Sequence, residues 1–205
     1  MNKQIDTIVF DLGGVLIDWN PDYVYQTIFD TKEEMEWFYK NICTPDWNEE
    51  QDAGRSLKEG TELLIEQFPE HEKNIRAFYN RWEEMLGGAI EGTVEVFRKI
   101  KAAGQYKTYA LTNWSGETFP VALNRFDFLH WFDGRLVSGD EKMRKPSPRI
   151  YELLTEKFDI TPHNAIYIDD NPRNLAPASD MGFYTIHFIS PDELQHELKE
   201  LGVII

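Results

Sequence analysis

Cysteine, positive charge and long apolar runs are all scarce in this sequence. Its single cysteine, Cys43, cannot form a disulfide within the chain, and with no base beside it in the sequence we expect an inert thiol. The chain has 21 Lys and Arg residues against 36 Asp and Glu residues, and its formal net charge of -15 argues against nucleic acids and anionic membranes as partners. No segment approaches the roughly 18 consecutive apolar residues of a membrane helix.

The N-terminal segment lacks a basic region followed by a sustained apolar run, because Asp6 and Asp11 interrupt it. We therefore expect a cytoplasmic protein. With 205 residues, 41% of them hydrophobic, the chain can bury one good core and add a small accessory unit.

The spacing of apolar residues differs between two parts of the chain. From Asp22 to Leu86 apolar residues recur at intervals of three and four, which predicts helices and no strand. From Gly92 onward predicted helices alternate with the strands YKTYALT, RLVSG, AIYIDD and FYTIHF, and the initial IDTIVFD joins the same sheet. This alternation predicts an α/β fold with a parallel sheet covered on both faces, into which the helical span is inserted after the first strand. Gly87 and Gly88 are predicted to form a hinge at the end of the insertion.

Polar residues follow the predicted strands. Asp11 ends the first strand in the stretch FDLGGVLIDW. Thr112 and Asn113 end the next strand, and Asp169 and Asp170 end a third. Because ligands bind outside the carboxyl ends of parallel strands, we expect these residues to share one crevice.

Charge and backbone freedom indicate what the crevice binds. Lys145 precedes a proline that suits the first position of a helix, so its ammonium is expected to face the same crevice. The adjacent Asp169 and Asp170 repel each other unless a cation relieves them. Gly13 and Gly14 let the backbone bend sharply and approach a ligand closely. Carboxylates facing one lysine and one hydroxyl thus predict a site for a divalent cation and a phosphate group.

Four segments carry a resemblance to a known family. FDLGGVLIDW, LTNW, MRKPSPRIY and YIDDNPRN resemble, in this order, the four motifs of the haloacid dehalogenase superfamily. The residues in these motifs are similar to those of the bacterial sugar-phosphate phosphatases of that superfamily, the α-D-glucose-1-phosphate phosphatases in particular. They are also similar to those of the amino-terminal phosphatase domain of soluble epoxide hydrolase. The resemblance implies a Rossmann-like catalytic core, residues 1–18 and 88–205, and a type one helical cap, residues 19–87, that closes over the substrate.

The resemblance also implies a chemistry, the Mg²⁺-dependent hydrolysis of a small phosphorylated metabolite such as a sugar 1-phosphate. Asp11 is then the nucleophile that takes the phosphoryl group as an aspartyl phosphate. Mg²⁺ is expected to bind the Asp11 carboxylate, the main-chain carbonyl of Gly13 and the carboxylate of Asp170.

The remaining motif residues are expected to hold the phosphate group. Thr112 and the amide of Asn113 would bind phosphate oxygens, and Lys145 would neutralise the charge that builds around phosphorus. Asp169 would orient Lys145 or a metal-bound water. Asn174, where many relatives have another acid, is assigned only a supporting role behind these residues.

The chain departs from the family pattern at Gly13. Phosphatases of the superfamily usually carry an acid there, two residues after the nucleophile, which protonates the leaving group and later activates water. Asp18 is the candidate substitute, and its other reading is an exposed loop carboxylate. Without an acid at position 13 we expect turnover to depend strongly on leaving-group acidity, which suits a sugar 1-phosphate. We also expect an added side chain at position 13 to clash.

Two other functions stay open at this point. A metal-independent 2-haloacid dehalogenase uses the same aspartate nucleophile, but relatives with that activity usually have serines in place of Asp169 and Asp170. A non-catalytic phosphate-binding regulatory protein of the same fold would account for Gly13.

Substrate choice is expected to lie with the cap. Its segment CTPDWNEEQDAGR reads as a loop. The segment offers a polar and aromatic set suited to a sugar, namely Asp46, Trp47, Asn48 and Arg55. Because Trp at helical spacing is more often a core residue, none of the four is assigned as a specificity residue.

Overall fold

The computed structural model describes residues 5–205, and from Gly92 onward its helices and strands alternate as predicted. The strands are β1 Thr7–Phe10, β2 Ile17–Trp19, β3 Leu86–Ala89, β4 Lys107–Thr112, β5 Gly134–Val137, β6 Ala165–Asp169 and β7 Tyr184–His187. The helices are α1 Asp22–Tyr25, α2 Lys32–Asn41, α3 Pro45–Asp52, α4 Leu57–Gln67, α5 Glu72–Asn80, α6 Glu91–Ala103, α7 Phe119–Arg125, α8 Ser138–Glu141, α9 Pro148–Phe158, α10 Pro172–Asp180 and α11 Pro191–Glu200. Short 3-10 turns lie at Pro69–His71, Trp82–Met85, Asp127–Trp131 and Pro162–Asn164. In this described range, no helix combines the length and the apolar character that crossing a membrane requires.

Five strands form one parallel sheet in the order β5-β4-β1-β6-β7. β1 lies at the centre, with Phe10 opposite Ala110 of β4 on one side and Ile168 of β6 on the other. All four residues of β1 are buried, and this burial on both faces explains why the segment TIVF shows no polar–apolar alternation. The predicted α/β fold class is confirmed. The central position of β1 places the residue after Phe10 between the ends of β4 and β6.

Two hydrophobic cores flank the sheet. Phe10 points into the larger core, where it packs against Phe97 of α6 at a ring-centroid distance of 5.3 Å. Val9, one residue out of phase, points into the smaller core together with Leu154 of α9. This alternation follows from the two-residue period of a strand. The larger core also takes in Phe78 of α5, so continuous apolar packing joins the helical insertion to the sheet.

A two-stranded ribbon, which the sequence pattern does not predict, connects the insertion to the sheet. β2 pairs antiparallel with β3, and Asp18 lies opposite Gly88. Glycines are rare in strands, so LGGA reads as a hinge, but Gly87 and Gly88 belong to β3. A Cβ at Gly87 would lie 2.1 Å from Asp18 Oδ2, so glycine lets the two strands approach. The predicted boundaries 18/19 and 87/88 both fall inside this ribbon, and the division into core and cap stays a prediction.

The segment CTPDWNEEQDAGR contains helix α3, and its reading as a loop is wrong. The helix begins after Thr44, whose hydroxyl accepts a hydrogen bond from the Trp47 amide at 3.1 Å, and Pro45 stands in its first turn. Trp47 is the one large apolar residue in PDWNEEQD, so no apolar periodicity marks the helix in the sequence. The helix carries Asn48 and Asp52 four residues apart, which places both side chains on one face.

Candidate active site

The residues predicted from the strand ends converge beside β1. Asp11 follows β1, Thr112 ends β4 and Asp169 ends β6, while Lys145 reaches the same place from the loop before α9. Lys145 Nζ lies 2.9 Å from Asp11 Oδ2 and 2.6 Å from Asp169 Oδ2. The structure therefore brings these residues together, and the catalytic role of each stays a prediction.

Lys145 is a fully buried cation between two carboxylates. Burial alone would lower the pKa of Lys145, but the adjacent carboxylates of Asp11 and Asp169 raise that pKa above its ordinary value. The ammonium thus stays charged at neutral pH. A buried charge persists only where such partners compensate its lost hydration, so the lysine and the two acids form one electrostatic unit.

Asp169 is the fixed partner of this lysine. Its Oδ2 accepts hydrogen bonds from Lys145 Nζ and from the Tyr167 hydroxyl, and its Oδ1 accepts one from the Asn171 amide at 2.8 Å. Asn174 Nδ2 lies 3.0 Å from Oδ1 and 3.1 Å from Oδ2. Burial alone would raise the pKa of Asp169, but Lys145 and the surrounding donors hold it below its usual range. Asp169 therefore holds Lys145 in place, and Asn174 supports it from behind.

Asp11 and Asp170 have the donor chemistry of a metal site. Carboxylate oxygens of Asp11, Asp169 and Asp170 lie within 4.8 Å of one another. Asp169 accepts two or more hydrogen bonds on each oxygen, whereas Asp11 accepts one on Oδ1 from the Leu12 amide and contacts Lys145 through Oδ2. Asp11 and Asp170 are therefore the candidate carboxylate donors, and Gly13 lines the same cavity. Oxygen donors of this kind suit Mg²⁺. Three carboxylates facing one lysine leave a local excess of negative charge, which a divalent cation fits.

The pKa shifts of Asp11 and Asp170 also indicate a site that suits a cation. Burial raises the pKa of Asp11 to about 8; the Lys145 ammonium opposes this rise and the charge of Asp169 adds to it. Burial and the charge of Asp169 likewise raise the pKa of Asp170. A cation between Asp11 and Asp170 would favour their ionised forms, which both metal binding and nucleophilic attack require.

The two glycines after Asp11 differ in what they permit. Gly14 has a φ of +73°, and a Cβ there would lie 2.3 Å from Asp170 Oδ2, so both the backbone and the carboxylate require glycine. At Gly13, by contrast, a Cβ would meet nothing within 4 Å. The expectation that a side chain at position 13 clashes is therefore wrong.

Alanine at these two positions gives a matched pair of variants. We expect Gly14→Ala to lower the free energy of unfolding by about 1–2 kcal/mol, because a Cβ disfavours the left-handed backbone. The same change at Gly13 is expected to alter that free energy by less than about 0.5 kcal/mol, since the added methyl group meets open space. Urea denaturation of both variants measures the difference, and equal losses would contradict the distinct roles of the two glycines.

Thr112 and Asn113, both predicted to bind phosphate, are held differently. The Thr112 hydroxyl is buried and has no hydrogen-bond partner among the residues that the structure describes, so it is a donor in need of an acceptor. The Asn113 side chain is already engaged with the backbone of Lys145. Its Oδ1 accepts from the Lys145 amide at 2.8 Å and its Nδ2 donates to the Lys145 carbonyl at 3.1 Å. These bonds fix the loop that carries Lys145, and phosphate binding by the Asn113 amide stays a prediction.

Asp18, the candidate substitute acid, is not brought to this site. Its Oδ2 accepts a hydrogen bond from the Tyr23 hydroxyl at 2.5 Å and packs against Gly87. Trp19, the next residue of β2, lines the cavities beside Asp11. Asp18 itself lines neither of these cavities, and its carboxylate is engaged with Tyr23. Its role as the proton donor therefore gains no support from the structure and stays a prediction.

One of the four cap residues considered for sugar binding faces the site. Asn48 lines both cavities beside Asp11. Trp47 is buried, and its indole N–H donates to the Gly60 carbonyl at 2.9 Å. Arg55 donates to the carbonyl of Trp47 at 3.1 Å, and Asp46 is exposed. Trp47 and Arg55 therefore stabilise the insertion.

Two cavities adjoin Asp11, with volumes of about 240 Å³ and about 430 Å³. Residues from both the sheet and the insertion line the two together: Asp11, Trp19, Asn48, Asp52, Asn113 and Asp170. The smaller cavity also has aromatic walls, formed by Tyr79, Trp82 and Trp114. Asp52 and the three aromatic residues are not predicted from the sequence, because segments far apart in the chain bring them together. The i, i+4 spacing of Asn48 and Asp52 would have been a signal, had α3 been predicted.

Comparisons with known proteins identify the family of this chain. The family model of the haloacid dehalogenase-like hydrolases matches residues 5–182. The chain is 25% identical over 193 residues to a sesquiterpene phosphatase of Aspergillus oryzae, covering 94% of each protein. It is 23% identical over 223 residues to a phosphorylated carbohydrates phosphatase of Thermotoga maritima, covering 96% of this chain and 100% of that protein. It is 30% identical over 122 residues to an (S)-2-haloacid dehalogenase of Burkholderia cepacia, covering 56% of this chain and 52% of that protein.

The curated relatives differ greatly in length, and the chain spans between 10% and 100% of them. Among solved structures, a haloacid dehalogenase family enzyme of Bacteroides thetaiotaomicron in complex with magnesium and inorganic phosphate has a TM-score of 0.71 to this chain. At 24% identity, over 94% of this chain and 98% of that one, the likeness shows a shared fold. Because the family model matches residues 5–182, the chain belongs to the haloacid dehalogenase-like hydrolase family, as its four motifs predict.

Proposed function

We propose that this hydrolase is a Mg²⁺-dependent phosphatase that acts on a small phosphorylated metabolite through an aspartyl phosphate on Asp11. The observation that carries the proposal is the grouping of Asp11 with Lys145 and Asp170 in one crevice. The Thr112 hydroxyl, which bonds to no other described residue, ends the neighbouring strand. A nucleophile, a fixed positive charge, metal donors and a phosphate donor are the parts that phosphoryl transfer requires.

Asp11, Asp170 and the main-chain carbonyl of Gly13 would hold the Mg²⁺ ion. The relative from Bacteroides thetaiotaomicron, crystallised with magnesium and inorganic phosphate, supports this choice of metal. When bound, Mg²⁺ offsets the negative charge of the phosphate oxygens and so lowers the electrostatic barrier to attack by a carboxylate.

The remaining steps belong to the chain's own residues. A carboxylate oxygen of Asp11 attacks phosphorus and displaces the leaving group. Lys145, 2.9 Å from that carboxylate, is placed to neutralise the charge that builds on the phosphoryl oxygens. Asp169 keeps Lys145 in position through their 2.6 Å contact. Water then attacks the phosphorus of the aspartyl phosphate, which releases inorganic phosphate and restores Asp11.

A sugar phosphate, such as a sugar 1-phosphate, is the substrate class that we propose. Tyr79, Trp82 and Trp114 provide aromatic faces in the smaller cavity, and such faces pack well against the C–H faces of a sugar ring. Asn48 adds an amide beside them that can bond to a hydroxyl group. The phosphorylated carbohydrates phosphatase of Thermotoga maritima supports the carbohydrate part of the substrate. The motif resemblance to glucose-1-phosphate phosphatases supports the position of the phosphate.

A 2-haloacid dehalogenase is the alternative raised by the relative from Burkholderia cepacia. That substrate carries a carboxylate next to the reacting carbon. Asp170 beside Asp11 would repel this carboxylate, whereas a metal-bound phosphate turns the same acid into a useful ligand. The paired carboxylates therefore favour the phosphatase.

A screen of phosphorylated metabolites for phosphate release tests the proposed function. With Mg²⁺ present we expect turnover of sugar phosphates, and we expect EDTA to abolish it. Halide release from 2-haloacids without phosphate release would favour the dehalogenase. Binding of inorganic phosphate with no turnover of any ester would favour the non-catalytic regulatory protein.

Mg²⁺ is also expected to raise the thermal midpoint of unfolding, because the ion binds the native state in preference to the unfolded chain. Asp170→Asn removes one carboxylate donor and is expected to remove most of that rise. Asp180→Asn, an exposed aspartate of α10, is the matched control and should keep the full response. Differential scanning fluorimetry with and without Mg²⁺ measures both variants, and an unchanged response in Asp170→Asn would exclude this residue from the ligand set.

A further inference from the structure

Asp52, the last residue of α3, presents a carboxyl group of the helical insertion to the active site. It lines both cavities that adjoin Asp11. The Ser138 hydroxyl, at the start of α8, donates to the Asp52 carbonyl at 2.5 Å and so ties this end of α3 to the sheet. Glu49, three residues earlier, forms a 2.8 Å ion pair with Arg144 from the loop that carries Lys145. These contacts hold Asp52 over the crevice.

The other acids that line both cavities already have tasks. In the proposed function Asp11 is the nucleophile and Asp170 is a metal donor. Glu49, which lines only the larger cavity, is committed to Arg144. Asp22, the first residue of α1, lines the larger cavity but not the smaller one. Of the three acids that both cavities share, Asp52 is the one without a task in the proposed function, and no described cation forms an ion pair with it.

The carboxyl group of Asp52 retains the capacity to carry a proton. Its Oδ2 accepts one long hydrogen bond, of 3.4 Å, from Asn48 Nδ2. Burial and the charge of Glu49 raise the pKa of Asp52 to about 7, while Arg144, the Ser115 amide and Lys145 oppose that rise. A carboxyl group with a pKa near neutrality is suited to give a proton in one step and take one in the next.

We propose that Asp52 is the general acid and base of the reaction, acting on the leaving group and then on water from the insertion side of the cavity. This inference rests on the proposed phosphatase function. It assigns to a residue of α3 the proton transfer that an acid at position 13 usually performs, since Gly13 has no side chain and open space around it.

Asp52 alone gives the proton in the first step and takes one back in the second. When an oxygen of Asp11 bonds to phosphorus, the bond from phosphorus to the leaving oxygen breaks. That oxygen keeps the electron pair and takes the proton of Asp52, so an alcohol departs and Asp52 becomes a carboxylate. In the second step the carboxylate takes a proton from water as the water oxygen bonds to phosphorus. The bond from phosphorus to Asp11 breaks, and inorganic phosphate leaves with both acids in their starting forms.

A series of substituted phenyl phosphates with graded leaving-group acidity tests this role. These substrates share one ring and need carry no sugar hydroxyl, so Asp52 has no binding task on them. For the wild-type protein with Mg²⁺ we expect kcat/KM to vary only shallowly with the pKa of the released phenol. For Asp52→Asn we expect a steep dependence, with a loss of about 10²- to 10⁴-fold for the poorest leaving groups and little loss for the most activated ones. The strong dependence predicted from Gly13 would thus emerge only when Asp52 is replaced.

The pH profile provides a second readout. A general acid must be protonated, so wild-type kcat/KM for the poorest leaving group should fall as pH rises through the pKa of Asp52. The substrate ionises in the same way for the wild type and for Asp52→Asn. A fall in kcat/KM with pH that is seen in the wild type and missing in Asp52→Asn therefore comes from Asp52. Arg144 and Lys145 are the cations that face Asp52, and the Tyr79 hydroxyl, whose pKa is raised by burial and by the charge of Asp52, faces it from α5. Glu49 is the other acid that faces Asp52. Glu49→Gln should therefore move this fall to a different pH, and its ion pair with Arg144 makes a check of folding necessary.

Asp46→Asn is the matched control, because this exposed aspartate lies on the same helix. It should reproduce the wild-type slope and the wild-type fall with pH. Circular dichroism and thermal unfolding establish that Asp52→Asn is folded. Equal slopes in wild type and folded Asp52→Asn, or a uniform loss across the series, would overturn the proposal. Failure of the wild-type protein to release phosphate from both the phenyl phosphates and the metabolites of the screen would instead refute the proposed function itself.

Discussion

Asp11→Asn is expected to lower kcat/KM for phosphate release by about 10⁴-fold or more, because the amide cannot attack phosphorus as a carboxylate does. The fold should survive the change. Burial raises the pKa of Asp11 to about 8, so the site disfavours a charged side chain there, and the neutral amide has the same shape. Lys145 keeps Asp169 as its partner at 2.6 Å.

Phosphate release in a single turnover, together with thermal unfolding, measures both parts of this expectation. Asp180→Asn is a suitable control, since it makes the same chemical change on the exposed face of α10. Undiminished turnover by folded Asp11→Asn would exclude a covalent mechanism at this residue. A loss of folding would show that Asp11 has a structural task that its contacts do not reveal.

Lys145→Met is expected to have the largest effect on stability. It removes the cation that compensates Asp11 and Asp169, and breaking such a buried group costs about 3–5 kcal/mol. Catalysis should fall as well, because the charge that builds around phosphorus then lacks its counter-charge. Lys157→Met is the matched control, since Lys157 forms a 2.6 Å pair with Glu141 at the surface and should cost less than about 1 kcal/mol.

The destabilisation in Lys145→Met should also depend on pH. The pKa of Asp11 is about 8 in the native protein against an ordinary value of 3.8, so the native state binds this proton more tightly than the unfolded chain does. Stability therefore falls as pH rises between those two values. Loss of the Lys145 charge raises the native pKa of Asp11 further, so the stability of the variant keeps falling above about pH 8, where this fall ends in the wild type. The difference from wild type should therefore be larger near about pH 9 than near about pH 5. Urea denaturation at the two pH values measures it, and a difference that shrinks as pH rises would contradict the electrostatic account.

The sequence predicts the sheet side of the site well, for local reasons. Asp11, Thr112 and Asp169 each follow an apolar strand, and parallel strands must present their carboxyl ends at one edge. Lys145 is expected in the same crevice from its place before a proline, and it does lie there, although the helix begins at Pro148 and the lysine approaches from the preceding loop. The family assignment that rested on these residues is confirmed by the match over residues 5–182.

The insertion side is where sequence reasoning was weak. Asp18 is only seven residues from Asp11, yet in the unpredicted ribbon its carboxylate bonds to Tyr23 and lines neither cavity. Asp52 is 41 positions from Asp11 in the sequence and lines the same two cavities. It stands at the end of α3, a helix marked by its Thr44 cap rather than by apolar spacing. Proximity in space between such distant segments depends on packing, which no local pattern encodes.

The stereochemical course at phosphorus tests the covalent mechanism most directly. The substrate is an ester made chiral at phosphorus with sulfur and oxygen isotopes, turned over in isotopically labelled water. Attack by Asp11 inverts the phosphorus once and attack by water inverts it again, whether or not the aspartyl phosphate accumulates. The account therefore predicts overall retention of configuration in the released thiophosphate. Overall inversion would mean that water attacks the ester in one step, and it would contradict Asp11 as the nucleophile.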